Sequence, residues 1–127
     1  MILGIGTDII SVTRIADALA RHGEPFAARI LAPEELEEFS AQVHPARFLA
    51  KRFAAKEAFA KATGQGLRHP VTLHNIRVAH DALGKPELAC SAELSAYLAQ
   101  RGVRRQHLSI SDEHEHAVAF VILEGEN

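Results

Sequence analysis

The stretch Ile2-Leu3-Gly4-Ile5-Gly6-Thr7-Asp8-Ile9-Ile10 decides how the rest of the chain is read. Its density of Ile predicts a buried strand over residues 2–10, and Ser11 after it is suited to cap the helix that follows. Asp8 interrupts the run with a charge, which is costly in a buried setting unless it is paired or bound to a cation. Gly4-x-Gly6 behind a strand suggests a dinucleotide-binding turn, but position 9, where the third glycine of that fingerprint falls, is Ile. The two glycines instead predict close approach of another backbone to the strand. A helix-capping role is the plain alternative for Asp8.

A second acid breaks the pattern of its own segment. Pro45 opens the longest predicted helix, which runs to about Thr63 and is stopped by Gly64, and within it Arg52-Phe53-Ala54-Ala55-Lys56-Glu57-Ala58-Phe59-Ala60-Lys61 places Glu57 on an apolar stripe. Lys61 follows one turn later. An exposed Glu57–Lys61 pair worth about 0.3–0.5 kcal/mol would be the plain reading, yet Ala50, Phe53, Ala54 and Ala60 match an exposed face poorly. A hard cation such as Mg²⁺ takes one or two carboxylates and leaves its other positions to water and substrate phosphate. Asp8 and Glu57 supply that ligand set, and Lys61 on the same face is placed to hold a phosphate oxygen.

Around these two segments the chain reads as one α+β domain over residues 1–127. Helices are predicted from Ser11 to about Arg21, over Pro25 to Ile30, over 33–39 and from Ser91 to Arg101. One hairpin joins residues 75–80 to the segment after Gly84-Lys85-Pro86, and a second joins 107–111 to 117–123. Hydrophobic residues make up 47% and charged residues 24%, which argues against disorder, and a net charge of −2 gives no global sign of nucleic-acid binding. No stretch approaches the ~18 apolar residues of a membrane span. Cys90 is the only cysteine, so no intrachain disulfide can form, and a reducing, cytoplasmic setting with a buried structural thiol is predicted. His44, His69, His74 and His80 show no convergent pattern, and His114-x-His116 lacks a clear third zinc ligand.

Taken in order and spacing, these residues carry a family resemblance. Gly4 to Ile9 and Arg52 to Ala62, with weaker support from Gly84-Lys85-Pro86 and from His107 to Asp112, resemble the holo-acyl-carrier-protein synthases of the 4′-phosphopantetheinyl transferase superfamily. The resemblance implies an antiparallel sheet with a long central helix, assembled as a homotrimer with active sites between neighbouring subunits. It implies transfer of the 4′-phosphopantetheine arm of coenzyme A to a serine of apo acyl carrier protein, releasing adenosine 3′,5′-bisphosphate. By similarity Asp8 and Glu57 hold Mg²⁺ and Lys61 contacts the donor's diphosphate; the base that takes the serine proton is Glu57 or a water held by the ion. Larger two-domain members resemble Asp-x-Glu at the first acid, whereas the residue after Asp8-Ile9 here is Ile10. Water is expected in place of that ligand.

The resemblance also places Lys85, Pro86, His107 and Ser109 at the coenzyme A pocket, with Arg52 a further phosphate contact. For Gly84-Lys85-Pro86 the plain alternative is turn chemistry. The carrier protein is acidic, and Arg14 and Arg21, on one face of the first helix, form a basic stripe to receive it, extended by Phe26 and Arg29. Glu24 weakens that patch. Two other functions fit the same acids: a different metal-assisted phosphoryl or nucleotidyl transfer, and a non-catalytic module docking an acidic partner.

Overall fold

A computed structural model describes residues Met1–Asn127. Strand β1 (Ile2–Ser11) runs into helix α1 (Val12–His22), and the chain then forms α2 (Glu24–Ile30), α3 (Pro33–Ser40) and the long α4 (Pro45–Ala62). The second half supplies β2 (Ile76–His80), β3 (Pro86–Cys90), α5 (Ala92–Gln100), β4 (Arg105–Asp112) and β5 (His116–Glu124). The α+β reading holds, and both predicted hairpins form: β2 with β3, and β4 with β5. What local pattern does not announce is that β1 joins the second hairpin, giving an antiparallel sheet in the order β1-β5-β4 beside the two-stranded β2-β3.

Ser11 caps α1 as its position implies, its hydroxyl accepting from the Arg14 amide at 3.2 Å. Helix α4 then lies across the three-stranded sheet. The glycines of β1 explain how closely: a Cβ built on Gly4 would stand 1.9 Å from the Ala62 carbonyl oxygen, and one on Gly6 would stand 1.9 Å from that of Ala58. No side chain fits there. Ala54, Ala58 and Ala62, one turn apart on α4, supply the matching smooth stripe, and all three are buried.

The sheet has two unlike faces. Asp8 is opposite Ala119, which is opposite Ile110, so these side chains share the face under α4 with Gly4, Gly6 and Ile10. Ala117, Ala119, Val121 and Leu123 of β5 close that face and are buried. The alternate residues face outward without cover: Ile5, Ile9, Val118 and Phe120 are all exposed, Ile5 at 58% and Ile9 at 62%. The expectation of a wholly buried strand over 2–10 is therefore corrected. A helix covers one side of the strand only, so apolar density in the sequence overstated its burial within one chain.

Candidate active site

The close approach at Gly4 and Gly6 carries the flank of α4 that follows Phe53 onto the end of β1. There Lys61 Nζ donates to Asp8 Oδ1 at 2.8 Å and to the Thr7 carbonyl oxygen at 3.0 Å. An ammonium has three N–H donors, so one remains for an incoming acceptor. Glu57, half-buried one turn earlier, stands near enough to Asp8 to feel its charge. Its carboxyl is pushed above the usual carboxylate range, first by burial and then by Asp8, with Lys61 pulling the other way. Asp8 and Lys61 are thus bonded to each other, and Glu57 lies close enough to feel the charge of both.

Two carboxyl groups beside one lysine carry acidic charge that a single ammonium balances only in part. The donor set is all oxygen and partly open: the Asp8 side chain is 15% exposed and that of Lys61 54%. This chemistry fits a hard divalent cation, which takes few protein carboxylates and accepts substrate oxygens besides.

A second group assembles at the far side of the sheet. Lys85 and Pro86 at the start of β3 meet His107 of β4 around a cleft of about 270 Å³, lined also by Glu87 and Gln106. His107 Nε2 lies 2.9 Å from Glu124 Oε1, which also accepts from Arg105 Nε at 3.0 Å. These two bonds hold the Glu124 carboxyl down at about 2. Ser109 lies outside that cleft, opposite Phe120 on the uncovered face and exposed there. By register His107 and Ser109 point away from α4 whereas Asp8 points toward it, so the sheet separates the two groups within one chain.

Arg52 does not join either group, which corrects its reading as a phosphate contact. It is 3% exposed, with one guanidinium nitrogen 3.1 Å from Glu35 Oε2 and another 3.0 Å from Glu38 Oε2. Its plane lies 4.5 Å from the centre of the Phe48 ring. Two of its nitrogens are thereby engaged by carboxylates of α3. Glu35 and Lys56, missed from the sequence, are the rest of that buried network. The legible signal was Pro33-Glu34-Glu35 at a helix start, since Glu35 Oε1 returns to accept from the Ala32 amide at 2.9 Å.

On α1, Arg14 and Arg21 are exposed, as is Arg29 of α2, while Phe26 is half-buried against the core under α1 and α4. Cys90 is partly buried in β3, and burial pushes its thiol up to about 11, as suits an inert side chain.

A small antiparallel sheet, a long helix and two acids with an adjacent ammonium set the class of fold and the chemistry of its open flank. The chain belongs to the 4′-phosphopantetheinyl transferase superfamily, whose model matches residues 4–121. It is 61% identical to the holo-acyl-carrier-protein synthase of Laribacter hongkongensis, over 98% of this chain and all of that one. The crystal structure of the Neisseria meningitidis holo-acyl-carrier-protein synthase superposes with a TM-score of 0.94 at 53% identity, covering 98% of this chain and 99% of that one. The Bacillus anthracis synthase, solved in complex with CoA (3′,5′-ADP), superposes at 0.82 with 40% identity over 99% of both chains.

Proposed function

We infer that the chain transfers the 4′-phosphopantetheine group of coenzyme A to a serine of apo acyl carrier protein, leaving adenosine 3′,5′-bisphosphate. The observation that carries this reading is the convergence of Asp8, Glu57 and Lys61 where α4 closes on the glycines of β1. Asp8 and Glu57 would hold Mg²⁺, which when bound neutralises charge on the donor's diphosphate. Lys61 keeps Asp8 oriented through its bond to Oδ1 and offers its free N–H to a phosphate oxygen. Glu57, whose proton affinity is raised, is suited to accept the serine proton as that oxygen attacks the β-phosphorus and the bond to the departing nucleotide breaks. Proximity does the remainder: charge is compensated and attacker and leaving group are aligned before reaction.

The residues on the two sides of the sheet act together only if two copies of the chain meet. The uncovered apolar face of β1, β5 and β4 supports a homotrimer in which Lys85, Pro86, His107 and Ser109 of one copy complete the pocket at Asp8, Glu57 and Lys61 of the next. Residues 1–127 then serve as one catalytic domain. No helix is long and apolar enough to cross a membrane; together with the lone unpaired Cys90, that supports a cytoplasmic setting. Arg14, Arg21, Arg29 and the edge of Phe26 would receive the acidic carrier.

Incubation with apo carrier protein, coenzyme A and Mg²⁺ tests the reading. Intact-mass analysis should show one phosphopantetheine added to the carrier, with adenosine 3′,5′-bisphosphate in solution. An unmodified carrier, under conditions where a known synthase modifies it, would rule the reading out. Sedimentation at micromolar concentration should give three times the chain mass.

A further inference from the structure

Resting on the transferase reading above, we propose that Glu35 is a positioning residue for the reaction, its buried carboxylate fixing through Arg52 and Lys56 the rotational setting of α4 on which Glu57 and Lys61 meet Asp8. Glu35 is 2% exposed and its two oxygens take four bonds. Oε1 accepts from the Ala32 amide at 2.9 Å and from Lys56 Nζ at 2.5 Å; Oε2 accepts from Arg52 at 3.1 Å and from the Val78 amide at 3.1 Å. Lys56, with no exposed surface, donates also to the carbonyl oxygens of Ile30 and Leu73, each at 2.7 Å. One carboxylate thereby ties the end of α2, the start of α3, the approach to β2 and β2 itself to two points on α4.

The need for such a clamp follows from the other flanks of the helix. Positions 54, 58 and 62 form an alanine stripe against two glycines, a smooth contact in which nothing interlocks. Close packing of this kind fixes separation well and rotation poorly, because dispersion attraction has no direction. Charge-assisted hydrogen bonds do have direction. Arg52 and Lys56 occupy one line of the helix, while Glu57 is the residue after Lys56, about 100° around the axis. A side-chain tip roughly 5–6 Å from the axis moves about 1 Å for a 10° rotation. A misplacement of that size costs on the order of 10²-fold in rate.

The bland reading is stability alone: three charges buried together need partners, and Glu35 provides one. The variants must therefore separate folding from placement. Glu35→Gln strands the Lys56 charge and leaves Arg52 with Glu38 alone, and is expected to unfold at lower temperature. Glu35→Gln combined with Lys56→Met removes one stranded charge while keeping the volume, and Glu35→Asp keeps the charge but withdraws it by one methylene. Thermal unfolding by circular dichroism reports the fold. Mn²⁺ titration in the presence of coenzyme A, followed by the electron paramagnetic resonance of the free ion, reports placement of the acids without turnover. In whichever of the last two variants unfolds cooperatively, Mn²⁺ should bind at least about 10-fold more weakly, and kcat should fall about 10²-fold with the coenzyme A KM changed far less. A folded variant with the wild-type Mn²⁺ constant and kcat within twofold of wild type would overturn the role of Glu35. Wild-type protein that leaves apo carrier unmodified would sink the transferase reading itself, an outcome distinct from active wild type with unaffected variants.

Discussion

Two flanks of α4 carry the same chemistry, an acid beside basic side chains, and use it oppositely. On one, Glu35, Arg52 and Lys56 are 2%, 3% and 0% exposed, and every oxygen of Glu35 is bonded. On the other, Lys61 pairs with Asp8 and retains a free donor, and Glu57, which no cation pairs directly, holds its proton more tightly than an ordinary carboxyl. The first arrangement is satisfied and has no capacity left for a ligand. The second is short of positive charge and open to solvent, which leaves it the capacity for the cation and phosphate of the proposed function. Incomplete compensation, rather than charge itself, marks the reactive flank.

The sharpest way to break this comparison is to remove an acid from the open flank. Asp8→Ala should lower transfer by about 10²–10³-fold at limiting Mg²⁺ while leaving circular dichroism unchanged; full turnover would remove Asp8 from the metal site. Next in size is Gly6→Ala, whose added carbon overlaps the Ala58 carbonyl oxygen. It should cost about 3 kcal/mol or more by urea unfolding, and a neutral result would mean that the helix lifts freely from β1.

Smaller effects sharpen the contrast. Arg14→Glu should raise the carrier-protein KM about 10-fold and leave the coenzyme A KM alone; unchanged kinetics would move the docking face elsewhere. The pH response separates the acids further. Because Glu57 binds its proton more tightly folded than unfolded, the metal-free protein should lose stability as pH rises from the ordinary carboxyl range through the Glu57 value. Mg²⁺ should restore a few degrees above that pH in wild type and none in Asp8→Asn, by calorimetry. Least of all, Glu124 is held down at about 2 from 4.5 and so stabilises above 4.5, an effect lost as pH falls toward 2. Glu124→Gln should flatten that acid limb.

Much of the open flank was legible in the sequence because it violates local patterning: Asp8 in an apolar strand and Glu57 on an apolar stripe each stand out alone. The glycines were legible for the same reason, as gaps where side chains were due. Arg52 was misread because periodicity tells which residues share a line of a helix but not which line a neighbouring element will cover; only the docking of α3 buries it. Glu35 looked like an ordinary acid in a first helical turn, a setting that favours acids whether or not anything lies beneath. The exposed half of β1 was hidden because an apolar residue on an uncovered sheet face reads the same in sequence as one in a core.

That strand has a consequence for how the chain tolerates change. Its even-numbered residues, Gly4, Gly6, Asp8 and Ile10, face the helix, while Ile5, Thr7 and Ile9 point the other way. A substitution disturbs one position, but a single-residue insertion or deletion between Gly6 and Asp8 would invert the pleat of every residue beyond it, turning the carboxylate outward and an isoleucine toward the helix. Length is thus a requirement of β1 beside the identities of its glycines and its carboxylate.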